Sequence, residues 1–376
     1  EAFSERPVEI LPAREFVFHN IESSSREYEH KRISALRNLR LGKKTIVTTV
    51  PALLMATMPP EKMQEAMFSI DFNGEYEIDD LIQKLLLAGY RRCMQVEGEG
   101  QFSVRGGILD IFVPGEDYPV RIEFFDTEVD TMSYFDIGSQ RRTRSLEKLL
   151  CVPNMEVLPT LAPDGMKGLV NKLTGIMLSR TNKHPELDKN LRRDIERLNN
   201  DGIFPAADKY LPLIYPQLTC AAAYIPEEAL VCFDDFRAVR EAARVFTLRM
   251  KEDVEALLER GQIFGKNAVY QRSLEEVMQQ LASHSMLYLE TFLSSVPECP
   301  PKLVTEIKAK QLSPYSGNTE AAASDIRAYQ DMNYRVIVLC SGDMRRTTMK
   351  EILQEHGIDA RVTDRLPRQG GVSILD

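Results

Sequence analysis

Apolar and polar residues alternate with period two across residues 101–130, QFSVRGGILDIFVPGEDYPVRIEFFDTEVD. Period two marks a strand with one buried face. The two runs flank the turn Pro114-Gly115-Glu116-Asp117-Tyr118-Pro119, which predicts an antiparallel hairpin. In the second run Val120, Ile122 and Phe124 fall on one face, and Arg121, Glu123 and Phe125 on the other. Before the Gly106-Gly107 break, Phe102 and Val104 point one way, and Gln101, Ser103 and Arg105 the other. The face that should be wet thus carries an aromatic side chain and two arginines, a grouping that points to a binding surface. Gly106 and Gly107 are expected to form a bulge that bends the sheet, and Asp110 and Glu123 to tether the arginines.

The remaining periodicities divide the chain into four stretches. In residues 1–71, runs at 14–18 and 45–50 read as buried strands. Between them, residues 23–41 place Tyr28, Ile33, Leu36 and Leu39 at helical spacing, with serines as a cap and Gly42 as a stop. Strand, helix and strand with a helix-length crossover imply part of a parallel α/β sheet. Residues 72–158 change character: a helix at 78–88 stops at Gly89 and is followed by four or five short strands, a small α+β meander inserted into the α/β domain. Residues 159–325 are mostly helical, with clear helices at 188–198 and 238–260, an apolar strand at 230–233, and a Pro- and Ser-spotted linker at 302–320. Residues 326–376 open a further small α/β domain, with a strand at 335–339, a helix at 344–356 and a strand starting at Ala360. The fold class is therefore α/β, a parallel-sheet domain carrying an antiparallel insert.

Charge and composition narrow the chemistry. The formal charge of −9 argues against the whole chain being a nucleic-acid clamp. The basic run Arg141-Arg142-Thr143-Arg144 leaves a local DNA contact open, although arginines on a strand edge also serve to discourage edge pairing. Cys93, Cys151, Cys220, Cys232, Cys299 and Cys340 are scattered without a Cys-x-x-Cys pair, which suits a reducing cytosol and makes a zinc site unexpected. No segment has the length and apolarity of a membrane span. The first residue is Glu1 and the last six, from Gly371, read as a strand just beginning, so a piece of a longer protein is expected.

Leu230-Val231-Cys232-Phe233-Asp234-Asp235 has the form of a Walker B element, in which an acid at a strand end holds Mg²⁺. The plain alternative is a strand end with two solvated acids. No Gly-x-x-x-x-Gly-Lys-Ser/Thr occurs in the sequence, and Gly106-Gly107 joins two strands rather than opening a helix, so a cradle for nucleotide phosphates is missing. His19, His30, His184, His284 and His356 are dispersed, with no neighbouring nucleophile. Asp79-Asp80 and Glu227-Glu228 sit where helix N-termini are expected, which dipole complementation explains. No catalysis and no cofactor are expected of this chain.

The run Val104-Arg105-Gly106-Gly107-Ile108-Leu109-Asp110-Ile111-Phe112, then Pro119-Val120-Arg121-Ile122-Glu123-Phe124-Phe125, then Asp136 and Ser139-Gln140-Arg141, resembles the UvrA-interaction domain of UvrB and of the transcription-repair coupling factor family. Leu11-Pro12-Ala13-Arg14-Glu15, Ser25-Arg26-Glu27 and Thr48-Thr49-Val50-Pro51-Ala52-Leu53 resemble the segment preceding it in the coupling factors. UvrB itself has an aromatic-rich hairpin for which residues 16–53 leave no room, so the coupling factors are the better match. The resemblance implies a degenerate, helicase-like UvrB-related module that docks UvrA through Arg105, Arg121 and Phe125. It further implies a cytoplasmic bacterial parent that uses ATP and Mg²⁺ in other domains, engages RNA polymerase and DNA there, and masks the docking face with a carboxy-terminal domain. Two other readings remain open: a UvrB-like DNA-dependent ATPase using Asp234 and Asp235, and a DNA-binding module acting through Arg141, Arg142 and Arg144.

Overall fold

A computed structural model describes residues 6–18, 26–179, 184–200, 205–265, 268–292, 295–308, 312, 314–315, 317–365 and 370–375. The chain divides into two compact units, Glu9–Pro301 and a second formed by Lys302–Asp376 with Glu1–Val8. Among the described residues the fold is mixed α/β, with eleven α-helices and several small sheets.

The largest sheet is the meander foreseen from the period-two run. Its strands lie in the order Arg142–Ser145, Glu128–Phe135, Val120–Phe125, Ile108–Phe112, Gln101–Arg105 and Arg91–Arg92. All neighbours are antiparallel except the short Arg91–Arg92, which runs parallel to its partner. Phe102, Leu109, Ile111, Val120, Ile122, Val129 and Met132 fill one face and share a core with Leu81, Ile82 and Leu85 of helix Ile78–Leu87. The glycine pair does not form the expected bulge. Arg105 pairs with Ile108, so Gly106 and Gly107 are the two residues of a tight hairpin turn, with Gly106 at φ +59°. The bulge lies elsewhere: Glu123 faces Thr131 while Phe124 faces Val129, leaving Asp130 as the extra residue. Where the meander joins the rest of the unit, Phe68–Asp71 and Lys148–Cys151 pair antiparallel, so the chain enters and leaves the insert side by side.

The surrounding elements depart from expectation in instructive places. The first strand is Val8–Leu11, paired with Thr45–Thr48 in a two-stranded sheet. Arg14, Phe16 and Phe18 are not in a strand: the Val17 amide donates to Asp208 Oδ2 at 2.7 Å, and Phe16 and Phe18 pack on Tyr270. Helix Glu27–Leu41 buries Ile33 and Leu36 as its spacing requires, but Tyr28 is 60% exposed. The serines expected to cap it lie outside the described residues. Leu230–Asp234 does run parallel to a neighbour, Ser285–Leu289, a strand the periodicity did not disclose. In the second unit Arg335–Leu339, Gly371–Leu375 and Ala360–Val362 form a parallel sheet with the last strand in sequence at its centre. Helices Thr319–Asp331 and Asp343–Glu355 belong to the same unit.

One buried ionic cluster ties distant segments of the larger unit together. Arg32 and Glu156 are both fully buried, and Arg32 Nε donates to Glu156 Oε1 at 2.7 Å. Arg14 Nε reaches the same oxygen at 3.0 Å, while its Nη1 and Nη2 grip Asp208 at 2.6 and 3.0 Å. Thr57 donates to the second oxygen of Glu156, and Arg32 Nη1 donates to the carbonyls of Pro12 and Ala52. Burial alone pushes the Glu156 carboxyl up, but the Arg32 and Arg14 guanidiniums outweigh it and hold the group below its ordinary value. Stability from this carboxylate is therefore present above the unfolded value of 4.5 and lost as pH falls through the lower folded value. Glu29, pushed up by burial, works in the opposite direction. Glu156→Gln should cost about 3–5 kcal/mol, because it leaves the fully buried Arg32 without its anion and Arg14 with Asp208 alone. Urea titrations from pH 7 down to 3 should show the deficit shrinking in acid; a constant deficit would place the loss elsewhere than in the charge.

Candidate functional site

The outward face of the meander is ordered in rows by the strand register. Ser103, Asp110, Arg121 and Ser133 lie opposite one another across four strands. The next row holds Arg105, Ile108, Glu123 and Thr131, and beyond it Phe125 pairs with Glu128. At the centre the Asp110 carboxylate, almost fully buried, accepts three guanidinium hydrogen bonds. Arg121 Nε meets Oδ1 at 2.7 Å and Arg121 Nη2 meets Oδ2 at 2.8 Å; Arg105 Nη2 meets Oδ2 at 2.9 Å. The arrangement pre-forms a cationic centre on a rigid sheet.

The two arginines are held differently. Arg121 is 13% exposed, its guanidinium lies 4.3 Å from the Phe135 ring centre, and Nη2 also donates to Gln140 Oε1 at 2.9 Å. Hydrogen bonding to Asp110 raises its already high pKa further. Arg105 is 51% exposed and is held by Asp110 through one nitrogen. Phe125 is 79% exposed, because strand alternation continues through the bulge and turns Phe124 inward and Phe125 outward. Glu123 does not tether either arginine of this pair. It pairs with Arg142 and accepts from Thr131 Oγ1 at 3.1 Å, and the bond from Arg142 foremost holds its carboxyl below the ordinary value.

Two residues at this face had no role assigned from the sequence. Met94 is 93% exposed, and its carbonyl accepts from Ser103 Oγ at 2.9 Å, which seats it beside the central row. It lies in a stretch with no periodicity, so only the bond to Ser103 reveals its place. Gln140, at φ +58°, supplies the carbonyl oxygen for Arg121. The Asp136–Arg141 turn that aims it enters the sequence reading only as Asp136 and Ser139-Gln140-Arg141 of the run that carries the resemblance.

The other candidate groups have positions and partners of their own. Arg142 and Arg144 lie in the edge strand; Arg142 is paired with Glu123, and Arg144 sits over the Tyr134 ring at 4.9 Å. Arg141, just before that strand, is exposed. Asp234 ends its strand in an exposed position, and Asp235 is the cap of helix Phe236–Glu259. At φ +51° its Oδ1 accepts from the Ala238 amide at 3.1 Å. A cleft of about 1210 Å³ runs beside this helix, bordered by Asp235, Arg240, Arg244 and Glu290, with basic and acidic side chains mixed along it. Among the described residues no group of three His, Cys, Asp or Glu side chains is placed to hold a metal ion. No helix among them is long and apolar enough to cross a membrane.

Comparison with known proteins places this geometry in context. Residues 68–156, from the entry strand of the insert through the meander to Glu156, match the UvrB interaction domain family. The chain as a whole is 27% identical over 381 residues to a transcription-repair-coupling factor of Bacillus subtilis, covering 99% of this chain and 32% of that protein. It is 23% identical over 355 residues to the transcription-repair-coupling factors of Staphylococcus aureus strain Mu50 and Staphylococcus haemolyticus, covering 92% of this chain and 30% and 29% of those proteins. The chain is thus related along nearly its whole length to transcription-repair-coupling factors, and it spans about a third of the length of these relatives.

Asp235→Ala should lower stability by about 0.5–2 kcal/mol, as loss of a helix cap does. Asp235→Asn, which retains an acceptor and tolerates positive φ, should restore most of it in a urea titration. Equal losses for both variants would show that the charge of Asp235, rather than its capping bond, is what the fold uses.

Proposed function

We propose that the outward face of the meander is a docking surface for the nucleotide-excision-repair protein UvrA, used in the way UvrB uses its own copy of the domain. The observation that carries the reading is the exposed pair Arg105 and Phe125 beside the buried Asp110–Arg121 centre, inside the segment that matches the UvrB interaction domain. An open guanidinium offers several donors to carboxylates, and an exposed ring offers apolar area at little entropic cost. In a protein of formal charge −9, a local concentration of arginines favours an acidic partner surface. Within a transcription-repair-coupling factor this docking would bring the repair machinery to RNA polymerase halted at a DNA lesion.

The same reading gives this chain a recruiting role without nucleotide hydrolysis, and leaves ATP, Mg²⁺ and translocation to other parts of a longer parent. Two features support it: the sequence has no phosphate-loop motif, and Asp235, the second acid of the Walker B-like pair, is engaged in capping a helix. DNA contact through Arg141, Arg142 and Arg144 gains little support, since Arg142 and Arg144 already have partners on the sheet.

Titration of the chain against UvrA should give saturable binding that Arg105→Ala and Phe125→Ala each weaken by about 1–4 kcal/mol, with circular dichroism unchanged. Binding indifferent to both substitutions would move the docking site off this face. Absence of binding by the unmodified chain would end the proposal.

A further inference from the structure

Arg105 and Arg121 look equivalent in the sequence, yet their hydrogen bonding sets them different tasks. A guanidinium has five N–H donors. Arg121 commits Nε to Asp110, and both hydrogens of Nη2 to Asp110 and Gln140, while its plane lies over Phe135. Arg105 commits one donor to Asp110 and keeps four, on a side chain that is half exposed. The brace behind Arg121 is itself fixed. Gln140 Nε2 donates to the Ile137 carbonyl at 2.8 Å, which settles the amide with its oxygen toward Arg121. The Gln140 amide donates to the Asp136 carbonyl at 2.8 Å, and Asp136 Oδ1 accepts from both the amide and the hydroxyl of Ser139 at 2.7 Å.

Resting on the docking reading above, we propose that Arg121 and Gln140 are positioning residues, and that the carboxylates of the partner are read by Arg105. Asp110 is the intermediary. With Arg121 clamped on it, the buried carboxylate is satisfied and needs only one bond from Arg105. With the clamp loosened, the carboxylate is a buried anion short of partners, and it draws the Arg105 guanidinium inward and away from the surface. The partner surface that fits is an acidic cluster for Arg105 with an apolar recess for Phe125.

The test is a double-mutant cycle on the full 376-residue chain titrated with UvrA. Gln140→Ala should weaken binding about three- to tenfold, the size of one lost hydrogen bond, without shifting the urea midpoint greatly. In an Arg105→Ala background the same change should have almost no effect, whereas in a Phe125→Ala background it should keep its full effect. An undiminished effect of Gln140→Ala in the Arg105→Ala background, or none in the unmodified chain, would overturn the proposal. A second readout does not need the partner. Nitrogen-15 spectra of the free chain should show the Arg121 Nε–H protected from exchange and the Arg105 Nε–H open, and Gln140→Ala should expose the former and shift the latter. Unchanged arginine signals in Gln140→Ala would refute the brace, while failure of the unmodified chain to bind UvrA would refute the docking reading with the brace intact.

Discussion

The larger unit is organised around one fully buried carboxylate. Glu156 lies a few residues beyond the strand Lys148–Cys151 that leaves the insert, and its two oxygens collect Arg14, Arg32 and Thr57 from three separate segments near the amino end. Through Arg14 the cluster extends to Asp208, in the helical stretch beyond the insert. Such a centre contributes less net stability than an apolar core of equal size, because every charge in it has lost its hydration. Its value lies in direction: a guanidinium fork accepts a carboxylate in few orientations, so the segments meet in one register. His30 extends the same logic toward the meander, facing Glu99 at 2.6 Å and Asn154 at 2.8 Å, and Asn154 in turn donates to Gly89.

The outward face of the meander repeats that design at smaller scale and at the surface. A buried acid, Asp110, gathers arginines, but here one of them stays half in water. The difference between core and site is thus a matter of how many donors remain uncommitted. Sheet geometry settles this, since the row through Asp110 is flanked by covered Ser103 and Ser133, whereas the row through Arg105 reaches the open end of the sheet beside the Gly106 turn.

Local patterning made the meander legible. One face of each strand is buried and the other is not, so alternation survives into the structure, and it carried Phe125 to the correct face even past a bulge. Patterning failed where a backbone group bonds to something remote in sequence. Arg14–Glu15–Phe16–Val17–Phe18 has strand composition, but the Val17 amide serves a carboxylate 191 positions away and no ladder forms. The pairing of Glu123 with Arg142 was hidden for a similar reason, since it depends on the return of an edge strand. Gln140 was in view as a motif residue, but nothing local says that its amide oxygen meets a guanidinium two strands away.

The neck of the insert has a mechanical consequence. Phe68–Asp71 and Lys148–Cys151 run antiparallel with Phe68 opposite Cys151 on the host side and Asp71 opposite Lys148 on the module side. A pull on the module along its neck therefore stretches both strands in the same direction at once. Tension divides between two covalent chains, and the hydrogen bonds between them are neither sheared nor unzipped. Resistance to sideways motion of the module comes instead from outside the neck, from the apolar core it shares with its host and from the contacts of His30 with Glu99 and Asn154.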